Sequence, residues 1–433
     1  MDAMKALTFA KDFMHARWPR FRHRAQLEQW QQRRLSQQLD WVCAHSPFYA
    51  PYRGRALTDF PIMDKATMMD NLDSLNTQGL SSTDLMATAL HAEQSRQFSD
   101  SKLGNITVGL SSGTSGRRGL FLASDDERAL WAASITGKLL PSLVKKQRIA
   151  LLLRADSPLY HSVKRGRIAF HYCDLTQPLS TWLPQLEGFN PTLMVGSAQA
   201  LMLAASHQKT LAPDRVISGA EVLTQEDRHW LEAQLRCDVH EIYQCTEGFL
   251  ACSDQHGTLR WNEDLIYLEK EWIDTDKTHY VPIITDLKRT TQPIIRYRLD
   301  DIIEHRQDDG IFAAINRIVG RCGDCFSLPA ANTEQKAISV LPDLISRTIT
   351  LHAFPQCNYR ISQIGHALVS VEAPNEQHHV IAKGLQALFK QLGSSDIQFQ
   401  FAPEPLWQPS VKQRRVVNQH NPPFAASTLR SMP

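Results

Sequence analysis

The chain has 433 residues, 42% of them hydrophobic and 21% charged, which is typical of a soluble globular protein of two or three domains. Lys and Arg total 47 against 45 Asp and Glu, so the net charge of +2 gives no reason to expect nucleic acid as a partner. The eight irregularly spaced cysteines and the absence of an apolar run approaching about 18 residues predict a reduced, cytoplasmic protein with no secretory signal and no membrane-spanning helix.

The first 55 residues are basic, with ten Lys and Arg against four Asp and Glu. Apolar residues at helical spacing predict a helix over about residues 25–44, ended by Ser46-Pro47. A basic helix of this kind could lie on an anionic membrane or on a partner protein. We favour the alternative, in which its apolar stripe packs on the body of the protein.

Short apolar runs alternate with helical patterns from Ile106 onwards. Strands are predicted over 106–110, 148–153, 168–172, 192–195, 216–218 and 239–243, and helices over 125–140, 180–187, 197–207 and 224–235. This alternation indicates an α/β fold with a largely parallel sheet, followed after Trp261 by β-hairpins.

A smaller α+β segment is predicted beyond Gly320, with helices near 334–348 and 376–392 and strands near 366–372 and 397–402. We therefore expect a large domain and a small C-terminal domain. The large domain would have a helical N-terminal part (1–90) and a core (91–321), and the small domain would cover 322–433.

The most distinctive local sequence is Ser111-Ser112-Gly113-Thr114-Ser115-Gly116, which directly follows a predicted strand. Backbone N–H groups and hydroxyls in such a loop can hold a polyphosphate. It is not a GxxxxGK[ST] loop, although Arg117-Arg118 keeps positive charge beside it. A plain flexible loop is the alternative if the sequence is considered by itself.

Further motifs follow in a fixed order. They are Tyr243-Gln244-Cys245-Thr246-Glu247, Thr285-Asp286-Leu287, Arg296-Tyr297-Arg298-Leu299-Asp300-Asp301 and Arg321-Cys322-Gly323-Asp324, preceded by Ser46-Pro47-Phe48-Tyr49 and Phe60-Pro61-Ile62-Met63-Asp64-Lys65. Together they resemble the adenylate-forming superfamily of acyl-CoA synthetases. The similarity is to its branch of phenylacetate–CoA ligase, capsule-operon adenylating proteins and the deazaflavin-coenzyme synthetase, over about residues 35–417.

The resemblance implies an ATP- and Mg²⁺-dependent ligase with a large adenylate-forming domain and a small mobile C-terminal domain. The phosphates of ATP would be held by Ser111, Ser112, Gly113, Thr114, Ser115 and Gly116. Thr246 would meet the α-phosphate, Glu247 would hold Mg²⁺, and Lys412 of the small domain would contact the carboxylate and the α-phosphate. Mg²⁺ favours hard oxygen ligands, so one carboxylate with substrate phosphates is sufficient chemically.

The resemblance also implies a nucleoside site. Tyr243 would flank adenine, Asp301 and Arg321 would contact the ribose, and a loop of small residues would lie beside adenine, namely Ser218-Gly219-Ala220-Glu221. Each residue taken singly has a structural alternative, such as core packing for Tyr243. Their order along the chain favours a nucleotide site.

The substrate implied by the resemblance is a small-molecule carboxylic acid. By position, its pocket should involve Phe170, His171, Tyr172, Gly196 and Ser197, which suit an aromatic or medium-length acid. The acceptor remains open among CoA, an acyl or peptidyl carrier protein and an amine, and the chain is compatible with a homodimer. Two alternatives are a nucleotidyltransferase that adenylylates a coenzyme-like acid and a degenerate ATP-binding partner protein.

Two further sets of residues could bind a metal ion, but neither site is favoured. Cys237, His240, Cys245, Cys252 and His256 could form a zinc site, but Trp261 stands where relatives tend to have a histidine. Cys322-x-x-Cys325 lacks a second pair of ligands nearby, so a metal or redox role is not favoured.

Overall fold

The computed structural model of the chain describes residues 3–97, 101–111, 118–154, 167–207, 210–332, 337–353, 358–406 and 414–420. Its contacts divide the chain into two compact units. The first comprises Met1–Glu269, Ile283–Leu299 and Gln307–Ile315, and the second comprises Lys270–Pro282, Asp300–Arg306 and Asn316–Pro433. None of the helices in the described ranges combines the length and the hydrophobicity needed to cross a bilayer.

The first unit holds most of the helices and strands. Its helices are α1 (Ala3–Arg17), α2 (Arg24–His45), α3 (Lys65–Asp70), α4 (Leu72–Leu75), α5 (Ser82–Ser95), α6 (Asp125–Leu139), α7 (Leu179–Phe189), α8 (Ala198–His207) and α9 (Gln225–Leu235). Its strands are β1 (Lys102–Leu103), β2 (Ile106–Leu110), β3 (Leu120–Ser124), β4 (Gln147–Leu153), β5 (Ile168–Asp174), β6 (Leu193–Gly196), β7 (Arg215–Gly219), β8 (Val239–Cys245), β9 (Gly248–Ser253) and β10 (Leu259–Trp261).

Three further strands have residues in both units, namely β11 (Ile266–Trp272), β12 (His279–Asp286) and β15 (Ala314–Arg321), whereas β13 (Tyr297–Arg298) belongs to the first. The second unit adds β14 (Asp301–Arg306), β16 (Phe326–Pro329), β17 (Ala337–Val340), α10 (Pro342–His352), β18 (Arg360–Gly365), β19 (Leu368–Glu372), α11 (His378–Gln391), β20 (Gln398–Ala402) and β21 (Val416–Asn418). Short 3₁₀ helices span Ala50–Tyr52, Leu57–Asp59, Cys322–Asp324 and Asn375–Gln377.

The central sheet of the first unit is parallel through β5, β4, β6, β7 and β8, and continues antiparallel through β9 and β10. The predicted α/β architecture is therefore confirmed. Each strand and helix predicted between Ile106 and Tyr243 begins and ends within two residues of its expected position.

Successive side chains of these strands point to opposite faces of the sheet. On one face Ala150, Leu152, Met194 and Val216 join a buried core with α7, α8 and α9. The opposite face lies towards α6 and is formed by Ile149, Leu151, Leu153, Leu193, Val195 and Ile217. The continuous apolar runs of the parallel strands thus bury both faces, as expected for this kind of sheet.

The predicted phosphate loop lies between β2 and β3, which pair antiparallel from Ile106↔Ser124 to Leu110↔Leu120. This hairpin, together with β1, packs its apolar side chains against α5. The loop therefore joins two antiparallel strands and does not precede a helix.

The basic N-terminal segment packs on the body of the protein. Leu27, Leu35, Leu39 and Val42 of α2 are buried, and Gln31 donates hydrogen bonds to the carbonyls of Glu263 and Ile266. The packed arrangement that we favoured for this helix is confirmed.

The second unit has its own core, which includes Ile302, Val319, Phe326 and Phe389. Its four-stranded sheet has the order β20-β19-β18-β21 and is accompanied by α10 and α11. Residues 270–282, 300–306 and 316–321 belong to this unit because their apolar side chains join the same core. The contacts therefore divide the chain differently from the expected domain border at 321/322.

The helix predicted near 334–348 is wrong in its first half. Ala337–Val340 is a strand paired with Phe326–Pro329, and the helix begins only at Pro342. Proline is favoured in the first turn of a helix and cannot donate from within one, so it fixes this start. Residues 333–336 lie outside the described ranges.

Candidate active site

The base of the phosphate-loop hairpin is held by Ser111 and Gly119. The Ser111 amide donates to the Gly119 carbonyl at 2.8 Å, and the Gly119 amide donates to the Ser111 hydroxyl at 2.7 Å. The predicted phosphate ligands Ser112, Gly113, Thr114, Ser115 and Gly116 lie outside the described residues, so their role stays a prediction.

Arg118, directly after this loop, forms a two-point ion pair with Glu93 of α5. Both guanidinium nitrogens lie 2.6 Å from the carboxylate oxygens. The pair raises the pKa of Arg118 and lowers that of Glu93. The charge of Arg118 therefore anchors the hairpin to α5.

Thr246 and Glu247 form the tight connection between β8 and β9. The Thr246 hydroxyl donates to Glu247 Oε2 at 3.0 Å, and the Tyr297 hydroxyl is hydrogen-bonded to the same carboxylate. Burial, with this neighbouring carboxylate, raises the pKa of Tyr297 above its ordinary value, so the phenol stays protonated as a donor. The carboxylate and hydroxyl oxygens at this turn are the hard donors that suit Mg²⁺.

The backbone of this turn is held by Arg289, whose side chain is 1% exposed. Its guanidinium donates to the carbonyls of Thr246 at 2.9 Å and Glu247 at 3.3 Å. The guanidinium also lies 5.5 Å from the ring centre of Trp131. Charge-assisted hydrogen bonds of this kind are stronger than neutral ones.

The same guanidinium reaches the phosphate-loop hairpin. It donates to the Leu122 carbonyl of β3 at 3.1 Å and to Gln292 Oε1 at 2.7 Å. Gln292 in turn accepts from the Leu122 amide at 2.9 Å. Arg289 and Gln292 therefore join the Thr246–Glu247 turn to β3 through one buried hydrogen-bond network.

Glu127 fixes the segment that carries Arg289 and Gln292. Its buried carboxylate accepts from the amides of Thr290 and Thr291, at 2.6 and 2.9 Å, and from the Ser124 amide at 2.8 Å. With Ser124 it also forms the capping box that starts α6. The start of α6, the hairpin and the turn are consequently one hydrogen-bonded assembly.

The predicted adenine loop follows β7. Ala220 has a left-handed φ of 65°, which is rare for alanine, and a Cβ at Gly219 would lie 2.5 Å from Ile242 Cγ2. Glu221 is held by Arg154 at 3.1 Å. Ser218 is 1% exposed, and its hydroxyl has no hydrogen-bond partner among the described residues. The backbone here is specified closely, while contact with adenine stays a prediction.

Tyr243 is 8% exposed and packs edge-on against Trp261, with 5.8 Å between the ring centres. The structure therefore places this ring in the interior. Its expected position beside adenine stays a prediction.

Two sequence motifs that lie far apart in the chain contact each other in the structure. Met63 of the Phe60–Lys65 motif pairs with Tyr297 of the Arg296–Asp301 motif, and the Arg296 side chain donates to the Phe60 carbonyl at 2.9 Å. A Cβ at Gly119 would lie 2.9 Å from Lys65 Cε, so Lys65 reaches the base of the phosphate-loop hairpin. The sequence contained the motif but gave no sign of this placement.

Asp301 and Arg321, the predicted ribose ligands, are neighbours in the second unit. Asp301 begins β14, Arg321 ends β15, and Arg321 Nε lies 3.7 Å from Asp301 Oδ1. Asp324 follows in a 3₁₀ helix, is 6% exposed and forms an ion pair with Arg414. Lys412 lies outside the described residues.

The alternative metal ligands do not assemble. No group of three or more His, Cys, Asp and Glu side chains within the described part of the chain is placed to hold a metal ion. Cys322 and Cys325 are each 5% exposed, and burial raises the pKa of the Cys325 thiol well above its ordinary value. Burial and a raised pKa both disfavour the thiolate form that metal binding and redox chemistry require.

A cavity of about 200 Å³ lies between α6 and the central sheet. Its walls come from α6, from β4, β6, β7 and β8, and from Phe170 of β5, and it reaches Gly219, Ala220 and Gln244. Because parallel strands end at the same edge of a sheet, the cavity extends to the edge where β6, β7 and β8 end. The Thr246–Glu247 turn follows the last of these strands.

Three of the five predicted acid-pocket residues, Phe170, Gly196 and Ser197, line this cavity, whereas His171 and Tyr172 do not. His171 points to the opposite face of the sheet and stacks on Phe189 of α7, with 5.1 Å between the rings. Desolvation lowers the pKa of His171. The alternation of side chains along β5 explains the separation of His171 from Phe170, whereas Tyr172 shares the face of Phe170 and still does not line the cavity.

Comparison with known proteins identifies the fold. No protein-family model and no curated protein matches the sequence. The structure is similar to that of 2-hydroxyisobutyryl-CoA ligase in the postadenylation state with 2-HIB-AMP, with a TM-score of 0.67 and 14% identity over 92% of this chain and 90% of that one.

Two other ligases are also similar. The amide bond synthetase from Marinactinospora thermotolerans has a TM-score of 0.52 and 12% identity over 71% of this chain and 66% of that one. An anthranilate CoA ligase in complex with anthranoyl-AMP has a TM-score of 0.50 and 13% identity over 71% and 66%. The chain therefore has the fold of the adenylate-forming ligases, as the sequence motifs led us to expect.

Proposed function

We propose that this chain is an ATP-dependent ligase that converts a carboxylic acid to an acyl-adenylate with release of pyrophosphate, and then transfers the acyl group to a thiol. The observation that carries this proposal is the position of the cavity. The cavity extends to Gln244 near the end of β8, and the hydroxyl of Thr246 and the carboxylate of Glu247 follow on the turn directly after that strand. An acid bound in the cavity would present its carboxylate to the turn that suits a phosphate-bound cation.

In the first step a carboxylate oxygen attacks the α-phosphorus of ATP, and the bond to the β-phosphate oxygen breaks as pyrophosphate leaves. Catalysis of this step depends on positioning and on stabilising negative charge. Glu247 would hold Mg²⁺ through its carboxylate, and the Thr246 hydroxyl would turn from Glu247 to donate to the α-phosphate. Mg²⁺ bound at Glu247 would offset the phosphate charge.

The remaining nucleotide contacts are part of the same proposal. Ser111, Ser112, Gly113, Thr114, Ser115 and Gly116 would hold the β- and γ-phosphates, Tyr243 and the loop 218–221 would border adenine, and Asp301 and Arg321 would bind the ribose. Lys412 would approach the reacting oxygens from a small C-terminal domain that moves about a hinge near residues 321–326. The 3.7 Å approach of Arg321 to Asp301 supports the assignment of these two residues to one ligand.

In the second step a thiolate attacks the acyl carbon, and AMP leaves with the electrons of the broken acyl–oxygen bond. CoA or the thiol of a carrier protein would serve as the acceptor. A structure of 2-hydroxyisobutyryl-CoA ligase, similar to this chain with a TM-score of 0.55 and 16% identity, contains both 2-HIB-AMP and CoA. That similarity makes CoA the first acceptor to test.

The proposal is tested by measuring pyrophosphate and AMP from ATP, with and without added carboxylic acids and CoA. With both acid and CoA present, we expect acid-dependent release of pyrophosphate and AMP in equal amounts. Glu247→Gln should remove this activity without lowering the melting temperature, because its carboxylate is the candidate ligand of Mg²⁺. The matched control is Glu226→Gln, which changes an exposed glutamate of α9. Acid-dependent turnover that survives in Glu247→Gln would contradict the assignment.

A further inference from the structure

We propose that the acid is a monocarboxylic acid with an uncharged, apolar tail of about the size of one six-membered ring with a short linker. This inference rests on the proposed function, since it identifies the cavity between α6 and the sheet as the acid site. It goes further by deriving the class of acid from the shape and chemistry of this chain's own cavity.

The cavity excludes charged tails. None of its lining residues carries an ionisable side chain. An ammonium group or second carboxylate placed there would lose its hydration with no opposite charge beside it, and this loss is costly in a protein interior. Amino acids and dicarboxylic acids are therefore excluded.

The lining also offers few polar groups for hydrogen bonds to a tail. The Thr136 hydroxyl donates to the Ala132 carbonyl at 2.6 Å, and the Ser197 hydroxyl accepts from the Ala200 amide at 3.3 Å. Both hydroxyls thus already have partners within their own helical segments. Among the lining residues only Gln244 adds a side-chain amide, and it lies near the end of β8, two residues before Thr246.

The volume limits the size of the tail. An apolar cavity of about 150 Å³ is known to accommodate benzene. At about 200 Å³, this cavity has room for one ring and a short linker. Very short acids would leave apolar walls without contacts, which loses dispersion energy.

The end of the cavity away from the Thr246–Glu247 turn is fixed. Leu139, the last residue of α6, and Leu140 both line it there, and their carbonyls accept hydrogen bonds from Arg215 at 3.4 Å and Arg17 at 2.6 Å, respectively. From Ile149 to Leu153 the wall along β4 spans about 13 Å, at about 3.3 Å per residue. A long unbranched chain would have to displace this anchored helix end, so long-chain fatty acids are excluded.

Two residues of α6 set the width of the cavity. Ala132 and Ile135 both line it, the first with a methyl group only. A leucine at 132 would fill part of the space that we assign to the ring. An alanine at 135 would enlarge it.

The first arm of the test measures binding without turnover. The probes are 5′-O-(N-acylsulfamoyl)adenosines that differ only in the acyl group, 3-phenylpropanoyl, glycyl, succinyl and hexadecanoyl, and calorimetry gives their affinities for the full chain. We expect the 3-phenylpropanoyl probe to bind at least about tenfold more tightly than each of the others, as a misfit in a hydrophobic pocket typically costs about 10- to 200-fold. Equal or tighter binding of a charged or long-chain probe overturns the inference, and so does binding of none.

The second arm changes the cavity. Ala132→Leu should weaken the 3-phenylpropanoyl probe about tenfold or more and leave a butanoyl probe unchanged, whereas Ile135→Ala should favour a bulkier two-ring probe. Ala129→Leu is the matched control, since it makes the same change on α6 at a residue outside the cavity lining. An unchanged order of affinities in Ala132→Leu overturns the inference. Pyrophosphate release, measured in parallel, tests the proposed function separately, because the probes bind whether or not the chain turns over.

Discussion

The proposed chemistry depends on Arg289, although this residue would not itself contact a substrate. Its guanidinium bonds the carbonyls of Thr246 and Glu247 on one side and that of Leu122 on the other. It is buried, and its partners Gln292 and Trp131 are part of the same unit. We infer that it positions the Glu247 turn relative to the phosphate-loop hairpin.

Replacing Arg289 by lysine keeps the charge but loses the planar fork that reaches several carbonyls at once. A small displacement of a catalytic turn can cost about a hundredfold in rate. We therefore expect Arg289→Lys to lower kcat by one to two orders of magnitude and to raise the Mg²⁺ concentration needed for half-maximal pyrophosphate release. Arg289→Met, which also removes the charge, should be worse and less stable.

A purely structural role would lower the melting temperature of Arg289→Lys but leave the Mg²⁺ requirement of the folded fraction unchanged. That result, measured by titration of MgCl₂ in the release assay, would contradict the positioning role. Gln292→Glu is a second variant to measure, because it changes the charge of another side chain in the same hydrogen-bond network and keeps its size.

His240 is a buried histidine that the proposed reaction does not use. It is 2% exposed, and its Nδ1 has no hydrogen-bond partner among the described residues. Burial, followed by the positive charges of Arg215 and Arg228, lowers its pKa to about 4, and the carboxylates of Asp238 and Asp254 oppose this shift only in part. The native state therefore holds this imidazole neutral.

This pKa predicts a pH dependence of stability. The unfolded chain binds a proton at His240 below about pH 6.5, whereas the folded chain does so only near pH 4. Stability contributed by the neutral form is thus fully present above about pH 6.5 and is lost as the pH falls towards 4, by on the order of 2–3 kcal/mol. His240→Leu should flatten the urea-unfolding free energy over this range, and His229→Leu, at an exposed position, should not. Identical pH profiles in all three proteins would contradict the assignment.

Residue types and their order predicted Thr246 and Glu247 as a pair, and the structure places them on one tight turn. Arg289 and Lys65 could not be assigned in the same way, because their contacts join segments far apart in the chain. The network of Arg289 spans 43 residues to Thr246 and 167 to Leu122. A single sequence contains no record of such pairings.

At the scale of elements, α6 connects several features of the first unit. Its first turn holds Glu127, its middle turns line the cavity, and its end is bonded to Arg17 of α1. It packs on α1 at Gly137, where a Cβ would lie 2.8 Å from both Ala16 Cβ and the Phe13 carbonyl. The two helix backbones therefore approach each other closely only because residue 137 is glycine.

Gly137→Ala should destabilise the protein by about 1–3 kcal/mol, because overpacking at such a contact forces the helices apart. It should also weaken the binding of acid probes, since α6 is a wall of the cavity. The control is Gly188→Ala in α7, where the added methyl group meets nothing within 4 Å and should be neutral or slightly stabilising. Denaturant unfolding of the two variants measures the difference. A neutral Gly137→Ala would show that the α1–α6 contact is loose.

Elements of the parallel sheet were predictable because short apolar runs alternate regularly with helical patterns there. The strand at the start of the predicted helix 334–348 could not be recognised, because in so short a run Ile338 and Val340 suit a buried strand and a helix equally. Only the pairing with β16 in the structure identifies Ala337–Val340 as a strand. The position of the phosphate loop in a hairpin was likewise set by the pairing of β2 with β3.

At the scale of the whole molecule, each of the two compact units contains residues of the sequence motifs. Thr246 and Glu247 belong to the first, and Asp301 and Arg321 belong to the second. The order of the motifs along the chain predicted all four residues. The domain border expected at 321/322 rests on a change in composition. The contacts instead group residues 270–282, 300–306 and 316–321 with the C-terminal residues. Core membership depends on contacts such as those of Val281 and Ile302, which no linear pattern reveals.

The central claim is that the carboxylate oxygen of the acid bonds to the α-phosphorus of ATP, and an isotope measurement tests it most directly. The purified chain is incubated with ATP, Mg²⁺, CoA and an apolar acid labelled with ¹⁸O in its carboxylate, and the products are analysed by mass spectrometry. The account predicts one ¹⁸O atom in each AMP formed and none in pyrophosphate. Label in inorganic phosphate with formation of ADP, or AMP without label, would contradict it.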